Sequence, residues 1–272
     1  MMTPRENGRK SSYTSLWLLL VAAFVIIFTL SCFDSTPSIL GYSPKPSEMA
    51  NSILRGNTHD EATSLCDDTD TDSVSGSPAT VPVDTATQTL LFIGDSMLDG
   101  LSPRLAAYAN ASGHKLYSVT WYSSSSKAWA ESGKLKEYIG RIKPTFVFIC
   151  LGANELNIKD IRSKRKEFVA KIISDIDTIP YLWIGPPNWK KDTGINDLIA
   201  ESAARGGYFK SDGMEFERRK DGAHPTAASA ILWMDSVVRW MPEHSFHPIR
   251  FDTPDKRTGR PTKIFTHSPE EI

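Results

Sequence analysis

The sequence has little cysteine, and its charges are nearly balanced. The three cysteines, Cys32, Cys66 and Cys150, lie far apart in 272 residues, so neither a disulfide framework nor a cysteine metal knuckle is expected. Lys and Arg number 31 against 32 Asp and Glu, and residues 89–272 carry 26 basic and 22 acidic residues. Because a nucleic-acid-binding domain clusters basic residues on one face, we expect no nucleic-acid partner.

Long apolar runs are also missing, except for one near the N-terminus. Residues 16–30 contain one polar residue, Thr29, and follow Arg5, Arg9 and Lys10. This pattern predicts a membrane-directing segment, and the positive-inside rule places the rest of the chain outside the cytoplasm, on the periplasmic or extracellular face. Residues 1–33 are therefore predicted to be a cytoplasmic n-region with an uncleaved anchor. Two alternatives stay open: a lipoprotein signal ending at Cys32, and a buried core helix.

Residues 34–88 lack the apolar side chains that a folded core requires. Ser, Thr, Pro and Gly fill 25 of these 55 positions, and Tyr42 is the only aromatic residue among them. Such a segment cannot bury enough apolar surface to offset the entropy that it would lose on ordering. We predict a disordered, acidic linker that tethers the following domain.

The remaining residues, 89–272, alternate short apolar runs with longer stretches of helical periodicity. Strands are predicted at 89–94, 116–122, 145–151 and 181–185, with a short fifth strand at 208–210 and a last helix from Pro225 to about Trp240. Continuous apolar strands indicate burial on both faces, which is typical of parallel sheets. We therefore predict an α/β fold: a three-layer α/β/α sandwich with a parallel, flavodoxin-like sheet of about five strands over residues 89–243. Residues 244–272 are predicted to be a polar C-terminal tail.

Candidate catalytic residues follow these predicted strands. Ser96 comes after the first strand, where a strand-to-helix turn would expose its hydroxyl. Asn154 comes after the third strand and offers a side-chain N–H to an oxyanion. Asp221 and His224 share the loop before the last helix, so the carboxylate could orient the imidazole as a base. For Ser96 and Asn154 a plainer alternative stays open, namely that each only caps the helix after it.

Taken in order, the motifs Gly94-Asp95-Ser96, Gly152-Ala153-Asn154 and Asp221-Gly222-Ala223-His224 resemble those of the SGNH (GDSL) hydrolase superfamily. The match spans residue 89 to about residue 241. The resemblance implies that Ser96 attacks an ester carbonyl, that His224 is the general base and then the acid, and that Asp221 orients it. It further implies an oxyanion hole made by the Ser96 N–H, a glycine N–H of the second motif block and the Asn154 side chain. It implies no metal and no cofactor, and we expect a monomeric domain.

The sequence departs from the family pattern at two places. Glu155 stands where the third block usually has Asp, at a position that the family does not use for catalysis. The loop after the second strand contains no glycine and reads Trp-Tyr followed by four serines, 123–126. Because any residue except proline has a backbone N–H, Ser124 or Ser125 could supply the missing donor. We assign Ser124 to the oxyanion hole.

Several other residues compete for functional roles. His114 is expected in a surface turn, and His244 with His247 is a weak candidate for a metal site because no third ligand follows at a fixed spacing. Cys150 is expected to pack inside a strand as a small hydrophobe. The aromatic residues near the predicted strand ends could stack on sugar rings or pack in the core. They are Trp121, Tyr122, Trp129, Trp183 and Trp189.

Three functions remain open on this basis. The first is an exported, membrane-tethered serine esterase that removes acyl groups, acetyl in particular, from a cell-envelope or environmental polysaccharide or from a small-molecule ester. The second is an O-acyltransferase in which a sugar hydroxyl resolves the acyl-enzyme. The third is a glycan-binding domain with an inactive site, which the missing glycine suggests.

Overall fold

The computed structural model describes residues 81–269, which contain one open sheet of six parallel strands. The strands run in the spatial order β5-β4-β3-β1-β2-β6. Their bounds are β1 Thr89–Gly94, β2 Lys115–Trp121, β3 Phe146–Cys150, β4 Tyr181–Ile184, β5 Tyr208–Phe209 and β6 Lys263–His267. Strand order reverses at β1, which pairs with β2 on one side and with β3 on the other. In open α/β sheets, ligands bind beyond the carboxyl ends of the strands at such a reversal.

Six helices connect and cover the strands of this described part of the chain. They are α1 Leu98–Ala111, α2 Ser126–Ser132, α3 Lys134–Ile142, α4 Ile161–Ile176, α5 Ile195–Ser202 and α6 Ala227–His244. Leu90 and Phe92 of β1 pack in a core with α1 and α6, whereas Leu91 and Ile93 pack in a second core with α2 to α5. Successive strand residues point to opposite faces, so one apolar strand serves both cores. The predicted three-layer sandwich with a parallel sheet is therefore confirmed.

The residues that we predicted to be a polar C-terminal tail contain the sixth strand. β6 pairs in parallel with β2, from Tyr117 opposite Lys263 to Trp121 opposite His267. Ile249, earlier in the same segment, is 1% exposed. The domain therefore continues past residue 243, and the sheet has six strands where about five were predicted. Single-sequence periodicity missed β6 because this edge strand has no fully buried residue and little apolar character.

The folded domain also begins earlier than predicted. Asp84, in the segment assigned to the linker, donates its N–H to the Pro248 carbonyl and accepts from the Arg250 N–H. Gln88 is buried at 3% exposure, and its N–H donates to Nδ1 of His114 at 3.1 Å. His114 is itself buried, which corrects its expected place in a surface turn. Between residues 81 and 269, no helix combines the length and apolar character needed to cross a bilayer. The predicted anchor, residues 1–33, and most of the predicted linker lie outside the described residues.

Residues after His244 pair with the sheet and pack on α1, so we expect that ending the chain at His244 abolishes cooperative folding. The truncation removes β6, the Phe251 ring that packs edge-on against Tyr108, and the backbone carbonyls that bind the buried Arg104. Nε of Arg104 keeps Asp235 as its acceptor, but Nη1 loses both of its carbonyl acceptors, which is unfavourable for a buried guanidinium. Thermal unfolding followed by circular dichroism would measure this loss. A chain ending after Pro269, which keeps β6, is the control, and a sharp transition in the shorter chain would contradict the expectation.

Candidate active site

Ser96 lies in the turn between β1 and α1, at the strand-order reversal. A Cβ on Gly94 would come within 2.3 Å of the Cys150 carbonyl oxygen of β3, so only glycine fits at the end of β1. α1 then begins after Met97, and no side chain caps its first turn. Ser96 therefore does not cap the helix, which removes the plainer interpretation of this residue. Its hydroxyl faces the loop before α6 instead.

His224 joins Ser96 and Asp221 in one chain of hydrogen bonds. Nε2 of His224 lies 2.8 Å from Oγ of Ser96, and Nδ1 lies 3.0 Å from Oδ2 of Asp221. The carboxylate can only accept, so Nδ1 holds the ring proton and Nε2 is left to accept the proton of the Ser96 hydroxyl. This is the geometry required of a nucleophile, its base and the group that orients the base.

The loop that carries His224 also holds Asp221 in its ionised form. Oδ1 of Asp221 accepts the backbone N–H groups of Ala223, at 2.8 Å, and His224, at 2.9 Å. The hydrogen bond from the His224 N–H, followed by that from Ala223, lowers the pKa of the Asp221 carboxyl to about 2. Asp221 thus remains an acceptor throughout the neutral pH range, although its side chain is 47% exposed against 26% for His224.

Asn154 lies on the loop after β3 and faces the loop after β2. Its Nδ2 donates to the Ser124 carbonyl oxygen at 2.9 Å, which leaves the second amide proton for another acceptor. Asn154 is exposed, and the turn that contains it closes with a hydrogen bond from the Glu155 N–H to the Gly152 carbonyl. The structure therefore brings Asn154 next to the serine loop. Helix capping does not explain its position, because α4 starts later, at Ile161.

The structure contradicts the assignment of Ser124 as a backbone donor. Its N–H already donates to the Trp121 carbonyl oxygen at 3.2 Å, and its Oγ accepts from Nε1 of Trp129 at 3.0 Å. Ser124 is fully buried, and its N–H, hydroxyl and carbonyl are all bonded to other protein groups. A backbone N–H that already donates within a turn is not available to bind a substrate.

The backbone N–H of Ser123, unlike that of Ser124, is not bonded within the loop. Its φ is 58°, in the left-handed region that glycine adopts without strain and other residues rarely adopt. Ser123 is exposed, and within residues 81–269 its N–H has no acceptor. Nothing in a run of four serines shows which one takes a positive φ, so Ser123 could not be distinguished from its neighbours in the sequence. A serine in the loop after β2 therefore adopts a conformation that favours glycine.

Asp95, the neighbour of Ser96, is a fully buried carboxyl group. Oδ1 accepts the Met97 N–H at 2.9 Å, whereas Oδ2 has no hydrogen-bond partner in the described part of the chain. Burial raises the pKa of Asp95 to about 7, the Met97 hydrogen bond opposes this shift, and the charge of Glu155 adds to it. The carboxyl is therefore neutral in weakly acidic solution and becomes a buried charge as the pH rises through 7.

This raised pKa predicts how Asp95→Asn changes stability with pH. Between the ordinary pKa of an Asp and the value near 7, the folded wild type holds a proton that the unfolded chain has lost, so wild-type stability falls as the pH rises. Asparagine cannot ionise. Relative to wild type, the unfolding free energy of Asp95→Asn should rise by up to about 4 kcal/mol from pH 4 to pH 8. Urea unfolding at both pH values measures this difference in unfolding free energy, with Asp255→Asn, a change at an exposed residue, as the control. If Asp95→Asn differs from the wild type by the same amount at both pH values, the prediction is refuted.

The aromatic residues considered as sugar platforms mostly belong to the core. Trp121, Trp129 and Trp183 are at most 1% exposed. Trp189 is half-buried, its Nε1 donates to the Ala153 carbonyl at 2.9 Å, and Nζ of Lys190 lies 4.2 Å from its ring centroid. Tyr122 is half-buried beside the site, and its hydroxyl donates to Asp99 at 3.0 Å. Aromatic stacking therefore gives little indication of the substrate.

No protein-family model and no curated protein matches the chain. Among solved structures, similar chains include the psychrotrophic esterase EstA from Pseudoalteromonas sp., at 17% identity and a TM-score of 0.40. Others are a mutant acetyl esterase with acetate ion, at 13% and 0.42, and TesA, at 19% and 0.40. The matches cover 55–56% of this chain and 94–96% of those chains. Similarity this low assigns no function, so the site must be judged by its own geometry.

Proposed function

We propose that this protein is a serine esterase. The observation that carries the proposal is the chain of hydrogen bonds from Asp221 through His224 to Ser96, with heavy-atom separations of 3.0 Å and 2.8 Å. A hydroxyl becomes a nucleophile when a base takes its proton during the attack, and here that base already touches the hydroxyl. Donors for a developing oxyanion lie on the two neighbouring loops, at Ser123 and Asn154.

In the first half-reaction, Oγ of Ser96 adds to the ester carbonyl carbon while its proton moves to Nε2 of His224. The carbonyl oxygen becomes an oxyanion, which binds the backbone N–H of Ser96, that of Ser123 and the free amide proton of Asn154. These donors contribute most when they stabilise the transition state more than the substrate. The tetrahedral intermediate then expels the alkoxide, which takes the proton from Nε2 and leaves as the alcohol.

In the second half-reaction, water replaces the alcohol. His224, neutral again, takes a proton from the water as the water oxygen adds to the acyl carbon. Collapse of this second intermediate breaks the bond to Oγ of Ser96, which recovers its proton from Nε2, and the carboxylic acid departs. Asp221 stays ionised throughout, stabilises the imidazolium and keeps the ring in the orientation that both steps use.

The inactive binding domain is the least supported of the three alternatives. It was suggested by the missing glycine, and Ser123 adopts glycine's left-handed conformation without being glycine. The acyltransferase shares every group of the esterase and differs only in the molecule that resolves the acyl-enzyme. No contact in the described residues favours a sugar hydroxyl over water, so hydrolysis is the function that we propose.

We further propose that the acyl group is acetyl and that the ester is on a polysaccharide of the cell envelope or its surroundings. Two features support this substrate. The apolar run at residues 16–30 would hold the domain outside the cytoplasm, where such polymers lie. The side chains of His224 and Asp221 remain partly exposed, so an ester on a large polymer can reach Ser96. The domain is proposed to act as a monomer.

Hydrolysis by the full chain tests the proposal. We expect 4-nitrophenyl acetate to be cleaved faster than the butyrate and octanoate esters, and a fluorophosphonate to add once to the protein. Release of acetate from an acetylated polysaccharide, compared with the deacetylated polymer, tests the natural substrate class. Acetylated sugar formed in excess of free acetate would instead indicate the transferase. Folded protein that neither hydrolyses these esters nor binds the fluorophosphonate would rule out a serine esterase.

A further inference from the structure

We propose that Glu155 is a positioning residue that holds the oxyanion loop, residues 122–126, in the conformation that presents the Ser123 N–H. Its effect on catalysis depends on the esterase function proposed above, whereas its effect on the loop does not. The family resemblance gives the position of Glu155 no catalytic use. Its contacts with Ser126 and Arg165 give it a structural one.

Glu155 is a buried carboxylate with three donors. Its side chain is 1% exposed, Oε2 accepts the Ser126 N–H at 2.8 Å, and Oε1 accepts the Ser126 hydroxyl at 2.9 Å. Nε of Arg165, in α4, donates to the same Oε1. Burying a carboxylate is unfavourable unless its charge is paired and its oxygens are hydrogen-bonded, and here both conditions hold. The group therefore forms a fixed attachment point for the first residue of α2.

The loop attached to Glu155 contains a strained residue. Ser123 has a φ of 58°, a conformation in which the side chain of an L-residue crowds its own backbone. Such a conformation persists only when the surrounding structure imposes it. The residues after Ser123 carry the constraints: the Ser124 N–H bonds to the Trp121 carbonyl, Ser125 caps α2, and Ser126 binds Glu155.

Two neighbouring residues of the third block hold this loop at two points. Asn154 donates to the Ser124 carbonyl, and Glu155 accepts from Ser126. Because Asn154 is itself an oxyanion donor, the same pair of contacts fixes the distance between its amide and the Ser123 N–H. The two departures from the family pattern, serine for glycine and Glu for Asp, therefore meet in one place. Glu155 compensates for the conformational freedom that a glycine at position 123 would have.

Glu155→Gln tests this role with little change in volume. The amide NH₂ must face one of the three donors, so at least one contact is lost and Arg165 loses its charged partner. Glu201→Gln is the matched control, since Glu201 pairs with Arg162 at the surface. Amide hydrogen exchange of the loop, measured by mass spectrometry on the full chain, should be faster by about tenfold in Glu155→Gln and unaltered in Glu201→Gln.

The kinetic prediction is a loss in kcat with little change in KM. A displaced donor weakens binding of the oxyanion, which exists only after attack, so kcat for 4-nitrophenyl acetate should fall about 10- to 100-fold. Glycine at position 123 adopts a positive φ without help. Ser123→Gly introduced into Glu155→Gln should therefore restore most of the lost kcat.

The outcomes separate this proposal from the esterase proposal. If the wild type hydrolyses no ester but hydrogen exchange of the loop rises in Glu155→Gln, Glu155 does hold the oxyanion loop and the proposed function fails. We call this holding of residues 122–126 by Glu155 the clamp. Unchanged loop exchange overturns the clamp whatever the activity. If Ser123→Gly restores nothing, the clamp does not act through residue 123, and the proposal fails there. Should Glu155→Gln not fold, Ser126→Ala removes one hydrogen bond without unpairing a charge and should still raise loop exchange; no rise would overturn the proposal.

Discussion

Ser96→Ala and His224→Ala are each expected to lower kcat for ester hydrolysis by about 10⁴- to 10⁶-fold and to abolish labelling by a fluorophosphonate. The two groups act as one unit, because the hydroxyl attacks only as Nε2 takes its proton across the 2.8 Å hydrogen bond. The double variant should therefore be no slower than either single variant. Intact-mass analysis after labelling and a 4-nitrophenyl acetate assay measure both effects.

Ser163→Ala is the matched control for this pair. Ser163 is exposed on α4, and its hydroxyl donates only to the Asp160 carbonyl, so activity and labelling should match the wild type. Thermal unfolding of each variant shows whether the fold is kept. If Ser96→Ala is still labelled, the nucleophile is another residue. If the double variant loses the product of the two single effects, Ser96 and His224 act separately.

Asn154→Ala is expected to lower kcat by about 10²- to 10³-fold with KM changed little. The side chain offers one amide proton to the Ser124 carbonyl and keeps the other for the oxyanion, which forms only after attack. Loss of a donor that acts on the transition state alone appears in kcat and in kcat/KM to the same extent. Steady-state kinetics with 4-nitrophenyl acetate give both constants.

Asn157→Ala provides the control for Asn154→Ala. Asn157 lies on the same loop and is exposed, so its removal tests whether any amide lost from this loop has the same effect. We expect wild-type kinetics. An Asn154→Ala variant that binds substrate more weakly at an unchanged kcat would show that the amide holds the substrate and does not stabilise the oxyanion.

Most of the fold follows from local patterns along the chain. The apolar run 89–94 is β1 to the residue. The bounds of β2 and β3 differ from the predicted ones by one residue at both ends, and those of β4 and β5 by one residue at the C-terminal end. Strands buried on both faces are nearly continuous in apolar residues, which makes them visible without a homologue. β6 has no such signal because the edge position leaves Lys263 and Ile264 exposed.

The candidate site was predictable where function depends on side-chain chemistry. The types and order of Ser96, Asn154, Asp221 and His224 indicated a nucleophile, a donor and an oriented base. The structure joins Ser96, His224 and Asp221 by hydrogen bonds and places Asn154 against the Ser124 carbonyl; their roles remain predictions. The oxyanion loop was not predictable in the same way. Whether the N–H of residue 123 or 124 is free depends on the backbone conformation, to which a run of identical serines gives no guide.

The sequence was thus sufficient to predict the parallel α/β sandwich. It also showed which strand ends carry polar groups and of which types those groups are. Periodicity and residue type act over a few neighbours, so they can be read along the chain. Three features became visible only in the folded domain: the C-terminal segment pairs with the sheet, the N–H of Ser123 has no acceptor in the loop, and Glu155 contacts Ser126 and Arg165. These features depend on contacts between residues distant in sequence and on which polar groups are buried, and both are consequences of packing.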